Sequence, residues 1–447
     1  MKKYELNMSE GKILKNIIIF SVPLILSSLL QLLFNAADMV IVGRFDGEGA
    51  LAAVGSTSSL INLIINVFIG YSTGSSVVIS RYFGANDDKL VKRSAHTSIA
   101  TALLFGVITL ILGMAISRSM LIVMGTPDDV LDSAALYMKI YFVGMPAVMV
   151  YNFGSGVLRA VGDTKRPLIY LSVAGVINVV LNIVFVAGFG MGVAGVAWAT
   201  TISQTVSAGC VLVCLIKTKA SYGINLRELR IHKKEFVQMT KVGLPAGIQG
   251  SLFSISNVII QSSINTFGSV AMAGSTAGGN LEGFIYVILN AIAQATLTFT
   301  AQNYGAGKRD RIKKGIMICL AFQFIAVFTL GMLMVLFSKQ LLGIYTDNAE
   351  SIKSGMERMS VICSMYFICG FNESIVAFLR GIGHPTLPTA VTVFGVCGLR
   401  LLYVYTVFKY FNTLGALFAI YPISWAITFV INGIAACVLW KKQGRFV

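Results

Sequence analysis

Twelve apolar runs, each long enough to cross a bilayer, recur along this chain with only short polar stretches between them. A spanning helix needs ~20 mainly apolar residues. Lipid offers no partner to an exposed backbone amide, so runs of this kind fold as helices. The runs are 14–42, 51–80, 94–116, 133–158, 167–188 and 193–216, then 236–265, 271–303, 312–337, 354–380, 388–408 and 414–440. Only 12% of the 447 residues are charged, against about a quarter in ordinary soluble domains, and a soluble fold is excluded. The first apolar stretch continues from Ile17 to Val42. That is too long for a signal-peptide core, so it reads as a retained span. Pro23 and Pro245 are expected in the first turns of runs one and seven or just beyond, where neighbouring helices can satisfy the freed carbonyls.

The net charge of +16 invites a nucleic-acid reading until it is located. It sits in alternate loops. If the first span starts in the cytoplasm, that side carries Lys2, Lys3, Lys12, Lys15, Arg81, Lys89, Lys92 and Arg93, then Arg159, Lys165 and Arg166. It also carries the basic residues from Lys217 to Lys241 and from Lys308 to Lys314, with Arg380, Lys441, Lys442 and Arg445. The opposite loops hold Arg44, Arg118, Lys339 and Lys409. This is the positive-inside bias. It predicts a multi-pass protein of the inner (cytoplasmic) membrane, both termini cytoplasmic, with the bilayer and not nucleic acid as its partner.

An internal repeat appears at an offset of about 221 residues. Phe83-Gly84-Ala85 with Lys92-Arg93 matches Tyr304-Gly305-Ala306 with Lys313-Lys314. Leu158-Arg159-Ala160-Val161-Gly162 with Pro167 matches Leu379-Arg380-Gly381-Ile382-Gly383 with Pro388. Pro23 and Asn35 match Pro245 and Asn257 at nearly the same shift. Each half has six spans, an even number, so both halves enter the membrane from the same side. They are then parallel repeats, related by a pseudo-twofold axis along the membrane normal, as in many secondary transporters. The expected fold is an all-α polytopic membrane protein. Its twelve transmembrane helices form two parallel-repeat six-helix lobes around a central cleft. The domains are 1–225, an N-terminal lobe with the inter-lobe linker, and 226–447.

An ionisable side chain inside a span costs at least ~2.5–3.5 kcal/mol at the centre, so each marks a functional candidate. Four stand out: Asp38, Glu282, Glu373 and Arg400. Asp38 lies ~7 Å inside the outer end of the first span, from the rise per residue. Asn182 has a similar depth in span five, with Asn178 one turn deeper on the same face, and Thr200 falls at similar depth in span six. A carboxylate with amide and hydroxyl oxygens can hold a small hard cation such as Na⁺, or the carboxylate alone can cycle a proton. The same depth also suits an acid that only faces a wet vestibule or caps a neighbouring helix. The second half lacks this carboxylate, since Ile260 stands at the position matching Asp38. Glu282 serves transport or structure equally well, whereas Glu373 and Arg400 fit a structural Glu–Arg pair.

The seven cysteines form no CxxC pattern and no disulfide pair in the outer loops. His96, His232 and His384 lie near cytoplasmic ends and read as solvated residues. The glycine-rich strings around Gly84 and Gly305 lack the GxxxxGK[ST] of a phosphate loop and read as tight turns. Beyond Na⁺ at Asp38 no metal is expected, no cofactor is expected, and nothing in the short outer loops resembles an enzyme's cluster of acids or histidines.

At this point the chain resembles the multidrug and toxic compound extrusion (MATE) family, in the superfamily that includes polysaccharide and lipid-precursor flippases. The residues that carry the resemblance are Val22-Pro23, Asn35-Ala36-Ala37-Asp38, Arg81-Tyr82-Phe83-Gly84-Ala85, Leu158–Lys165 with Pro167, and Asn178 with Asn182. Gln302–Gly307 and Leu379–Gly383 are their C-terminal counterparts. The similarity covers essentially the whole length. It implies an efflux antiporter that acts as a monomer and exports amphipathic, cationic compounds in exchange for H⁺ or Na⁺. Asp38 would be the coupling acid, and Asn178 and Asn182 the polar pair of the fifth span. Many similar members have Asp where this chain has Asn182, and one carboxylate fewer favours proton cycling. Glu282 and Glu373 are the candidates for the C-terminal cation site of some relatives. The alternative is a flippase for a lipid-linked precursor.

Overall fold

The structure, a computed structural model, describes residues 4–45 and 47–443. Lys2, Lys3 and Arg445, counted above among the basic residues, lie outside them. The first half comprises α1 (Ile13–Phe45), α2 (Gly47–Gly84), α3 (Asp88–Val123), α4 (Asp128–Val143), α5 (Met145–Ala160), α6 (Lys165–Asn182) and α7 (Gly192–Lys217). A π-helical turn, Ile183–Gly188, continues α6. The second half comprises α8 (Lys233–Asn265), α9 (Ser269–Gly305), α10 (Arg309–Leu336), the short α11 (Ser338–Gly343) and α12 (Ala349–Gly381). It continues with α13 (Thr386–Thr392), a π-helical turn Val393–Gly398, α14 (Leu399–Tyr405), α15 (Val407–Tyr410) and α16 (Leu414–Gln443). No strand occurs among the described residues.

Eleven of these helical stretches are long and apolar enough to cross a membrane, and α4 with α5, bent by 48° at Gly144, makes the twelfth. Every run read from the sequence coincides with one of them. The outward faces are apolar: Leu104, Val107, Ile111 and Leu112 of α3 are exposed. In water that would be a liability, whereas in lipid it is the required surface.

One expectation needs correction. Pro23 lies ten residues after the start of α1 and Pro245 twelve after the start of α8. α1 begins at Ile13 and α8 at the polar Lys233, so both prolines stand about three turns inside their helices. The carbonyl of Pro23 also accepts a hydrogen bond from Ser27 Oγ at 2.8 Å. The tight turns after α2 and α9 do fall in the glycine-rich strings around Gly84 and Gly305. The left-handed backbone falls at Asn86 (φ 54°) and Gly307 (φ 68°), two residues beyond Gly84 and Gly305, which still close their helices.

The chain forms two compact units, one of Met1–Asn7 and Pro23–Gly247, the other of Met8–Val22 and Ile248–Val447. In the first, Ile99, Met138, Phe153, Val157 and Leu215 form a closed interior. There α2 and the first half of α8 meet backbone to backbone. A Cβ on Gly70 would stand 2.2 Å from Gly247 N, and one on Gly74 would stand 2.5 Å from Gly243 N. Gly70 and Gly74 face Gly243 and Gly247, two small-xxx-small stripes of the kind that let membrane helices approach closely. In the second unit, Ile260, Ile285, Met359, Ile362 and Phe418 fill the corresponding interior.

Candidate functional site

The C-terminal part of α1 carries Asp38, the end of α6 carries Asn178 and Asn182, and α7 carries Thr200. The first unit brings all four together. Asn182 Nδ2 donates to Asp38 Oδ1 at 2.5 Å and to Asn178 Oδ1 at 3.3 Å. Asn178 Nδ2 donates in turn to Thr200 Oγ1 at 3.4 Å. Asn182 is fully buried and its Oδ1 has no hydrogen-bond partner.

Local sequence explains the approach. Asn178 and Asn182 are one turn apart and share a face of α6. Gly175 stands just before them, where a Cβ would meet the Phe34 ring at 1.8 Å. The missing side chain lets Phe34 nest against α6, and Asp38, one turn beyond Phe34, then reaches Asn182. The π turn begins immediately after Asn182, and such turns recur at functional positions in helices.

A cavity of about 60 Å³ adjoins the cluster, lined by Gln31, Phe34, Asn35, Asp38, Asn178, Thr200, Ser203 and Gln204 among others. That is room for roughly two waters at their volume in the liquid, and far below the ~300–1,000 Å³ of a drug-sized pocket. The space suits an ion or a proton relay. Sequence reasoning missed Tyr137 and Tyr141 of α4, which stand within electrostatic reach of Asp38. A tyrosine pair one turn apart inside a span was the available signal.

The other candidates do not join this cluster. Glu282 forms a buried pair with Arg358, whose Nε donates to Oε1 at 2.7 Å and Nη2 to Oε2 at 2.8 Å. Arg358 Nη1 also donates to Ser275 Oγ at 2.9 Å. Arg358 was missed although an arginine within a span is costly enough to mark it. Glu373 lies on α12 within electrostatic reach of Arg380. Arg400 pairs with no carboxylate among the described residues and lies beside Asn257.

His96 is not solvated. It is buried, its Nδ1 donates to Lys92 O at 2.8 Å, and its Nε2 accepts from the Asn225 amide at 3.0 Å. It ties the connector after α7 to α3. Nearby, burial and the Arg230 guanidinium hold the His232 imidazole below its ordinary value.

The family model MatE matches residues 23–184 and, separately, 245–406. The chain belongs to the MatE family. The two matches begin 222 residues apart, at 23 and at 245, so the family unit itself occurs twice, at the offset of the internal repeat. This MatE protein is a multi-pass membrane transporter and not an enzyme. It is 29% identical over 444 residues to the probable multidrug resistance protein YoeA of Bacillus subtilis (strain 168), covering 97% of this chain and 96% of that one. It is 27% identical over 411 residues to the probable multidrug resistance protein NorM of Thermotoga maritima, covering 90% and 87%. Among solved structures it is similar in fold to a MATE transporter in complex with MaL6, with a TM-score of 0.92 and 22% identity over 98% of this chain and 99% of that one. An outward-facing MATE transporter matches with a TM-score of 0.90 and 23% identity, covering 98% of each chain.

Proposed function

We propose that this transporter exports amphipathic organic cations in exchange for protons, and that Asp38 carries the proton. The observation that carries the reading is the Asn182–Asp38 hydrogen bond beside a cavity too small for a drug. The names of the relatives, multidrug resistance proteins, support the class of substrate.

The chemistry follows from the side chains. A deprotonated Asp38 accepts the N–H that Asn182 offers. A protonated Asp38 is a donor and needs an acceptor, which Asn182 supplies by turning its buried Oδ1 towards it. One amide can thus serve both states. The other three groups are neutral, so proton uptake changes the charge of the cluster from −1 to 0. With Asn182 N–H groups aimed at both Asp38 and Asn178, the arrangement favours a proton over Na⁺, which needs oxygen atoms converging on it.

The test is dye transport by purified protein in liposomes under an imposed pH or Na⁺ gradient. The pH gradient is expected to drive movement of a cationic dye, and Asp38→Asn to reduce it at least tenfold. Full gradient-driven transport by Asp38→Asn removes Asp38 from the coupling role. A response to Na⁺ alone replaces the ion. Movement of lipid-linked sugars without dye transport would identify a flippase.

A further inference from the structure

The second unit holds a buried charge that proton exchange leaves unused. Arg400, on α14, is 1% exposed. Its neighbours are neutral: Nη1 donates to Asn257 Oδ1 at 3.0 Å and Nε to Ser424 Oγ at 3.4 Å. The guanidinium carbon lies 4.4 Å from the Tyr421 ring centroid and 5.3 Å from that of Phe253. Nη2 has no hydrogen-bond partner. Nor, among the described residues, does a carboxylate pair with it, as Glu282 does with Arg358. Aromatic faces attract a guanidinium but do not neutralise it. A buried cation without a counter-charge is costly, and in a membrane it is by default functional.

Its place in the repeat is informative. Asn257 corresponds to Asn35 at a shift of 222 residues, and Tyr421 and Ser424 to Thr200 and Ser203 at 221. Asn35, Thr200 and Ser203 all line the Asp38 cavity. The same place in the plan carries an anion in one half and a cation in the other. The helix bearing Arg400 carries a π turn, Val393–Gly398, immediately before α14, as α6 carries one immediately after Asn182. Such turns recur at functional positions in helices. Trp425, next to Ser424, is a second buried donor, with Nε1 unpartnered.

We propose that Arg400, with Asn257 and the rings of Phe253 and Tyr421, is the site that binds the carboxylate of zwitterionic aromatic amphiphiles. The free Nη2 supplies a charge-assisted donor to the carboxylate, and the rings receive the aromatic body. Arg400 is enclosed, so a ligand reaches it when α13–α15 rearrange. The proposal rests on the transport reading above.

The test uses the full chain in liposomes and two xanthene dyes, one with a free carboxylate and the other its cationic methyl ester. The wild type is expected to move both. Arg400→Met is expected to cut movement of the free acid at least tenfold relative to the ester. Should Arg400→Met fail to fold, Asn257→Asp is the second variant. It keeps the guanidinium but places an internal carboxylate beside Nη1, with the same selective loss expected. A wild type that moves the ester but not the acid overturns the proposal, as does an equal effect of the folded variants on both dyes. If the wild type moves neither dye, the transport reading has failed. Binding of the free acid to purified protein, followed by fluorescence anisotropy, then decides the site alone. A tenfold weakening in Asn257→Asp supports it and an unchanged affinity overturns it.

Discussion

Asn182 gives the cluster its chemistry by what it lacks. A second carboxylate there would face Asp38 across the distance now spanned by a 2.5 Å hydrogen bond. Two like charges that close cannot both remain ionised without a bound cation. Asn182→Asp is therefore expected to raise dye transport by Na⁺ at least tenfold, measured in liposomes against Na⁺ concentration. A variant that responds to pH alone would place the ion preference elsewhere. Glu282 and Arg358 show the opposite arrangement, a buried pair with both carboxylate oxygens satisfied. Removing one partner leaves the other charge stranded, so Arg358→Ala is expected to cost about 3–5 kcal/mol of stability. Thermal unfolding in detergent reads this as a lowered midpoint. Glu282→Leu combined with Arg358→Met is expected to recover most of the loss.

At the scale of elements, the site depends on how closely α6 admits α1. Gly175→Leu would drive into the Phe34 ring and push Asp38 away from Asn182. Transport is expected to fall more than tenfold although neither residue holds the proton. Phe34→Ala in the same protein is expected to restore part of it, and no restoration would deny Gly175 its spacing role. This contact also marks what the sequence made legible. The twelve spans could be read because run length alone decides them in lipid. Asp38, Asn178, Asn182 and Thr200 could be grouped because helical rise fixes depth. Their hydrogen bonds could not, since adjacency between α1, α6 and α7 depends on packing at Gly175 and not on depth. The glycine stripes of α2 and α8 were unread for the same reason: a small residue signals close approach only once its partner is known. Arg358 went unread and His96 was read as solvated because the partners of each, Glu282 and Asn225, lie on distant segments.

For the whole molecule, the three carboxylates singled out from the sequence differ in their company. Glu282 is neutralised by Arg358 and Glu373 lies near Arg380, while Asp38 forms no salt bridge among the described residues and accepts from the neutral Asn182. On the proposed reading, in which Asp38 alone carries the proton, each cycle would return one proton. Exchange of that proton for one monovalent organic cation carries no net current. The membrane potential, worth about 2.3 kcal/mol per elementary charge at 100 mV, then contributes nothing to accumulation. Collapsing the voltage with a potassium ionophore at constant pH difference should leave cation export unchanged, and a zwitterion leaving by the same exchange should generate an inward current. If Asp38 exchanges a proton as proposed, the neutral amide at Asn182 would make the transporter an acidity-driven machine, indifferent to voltage when its cargo is a simple cation.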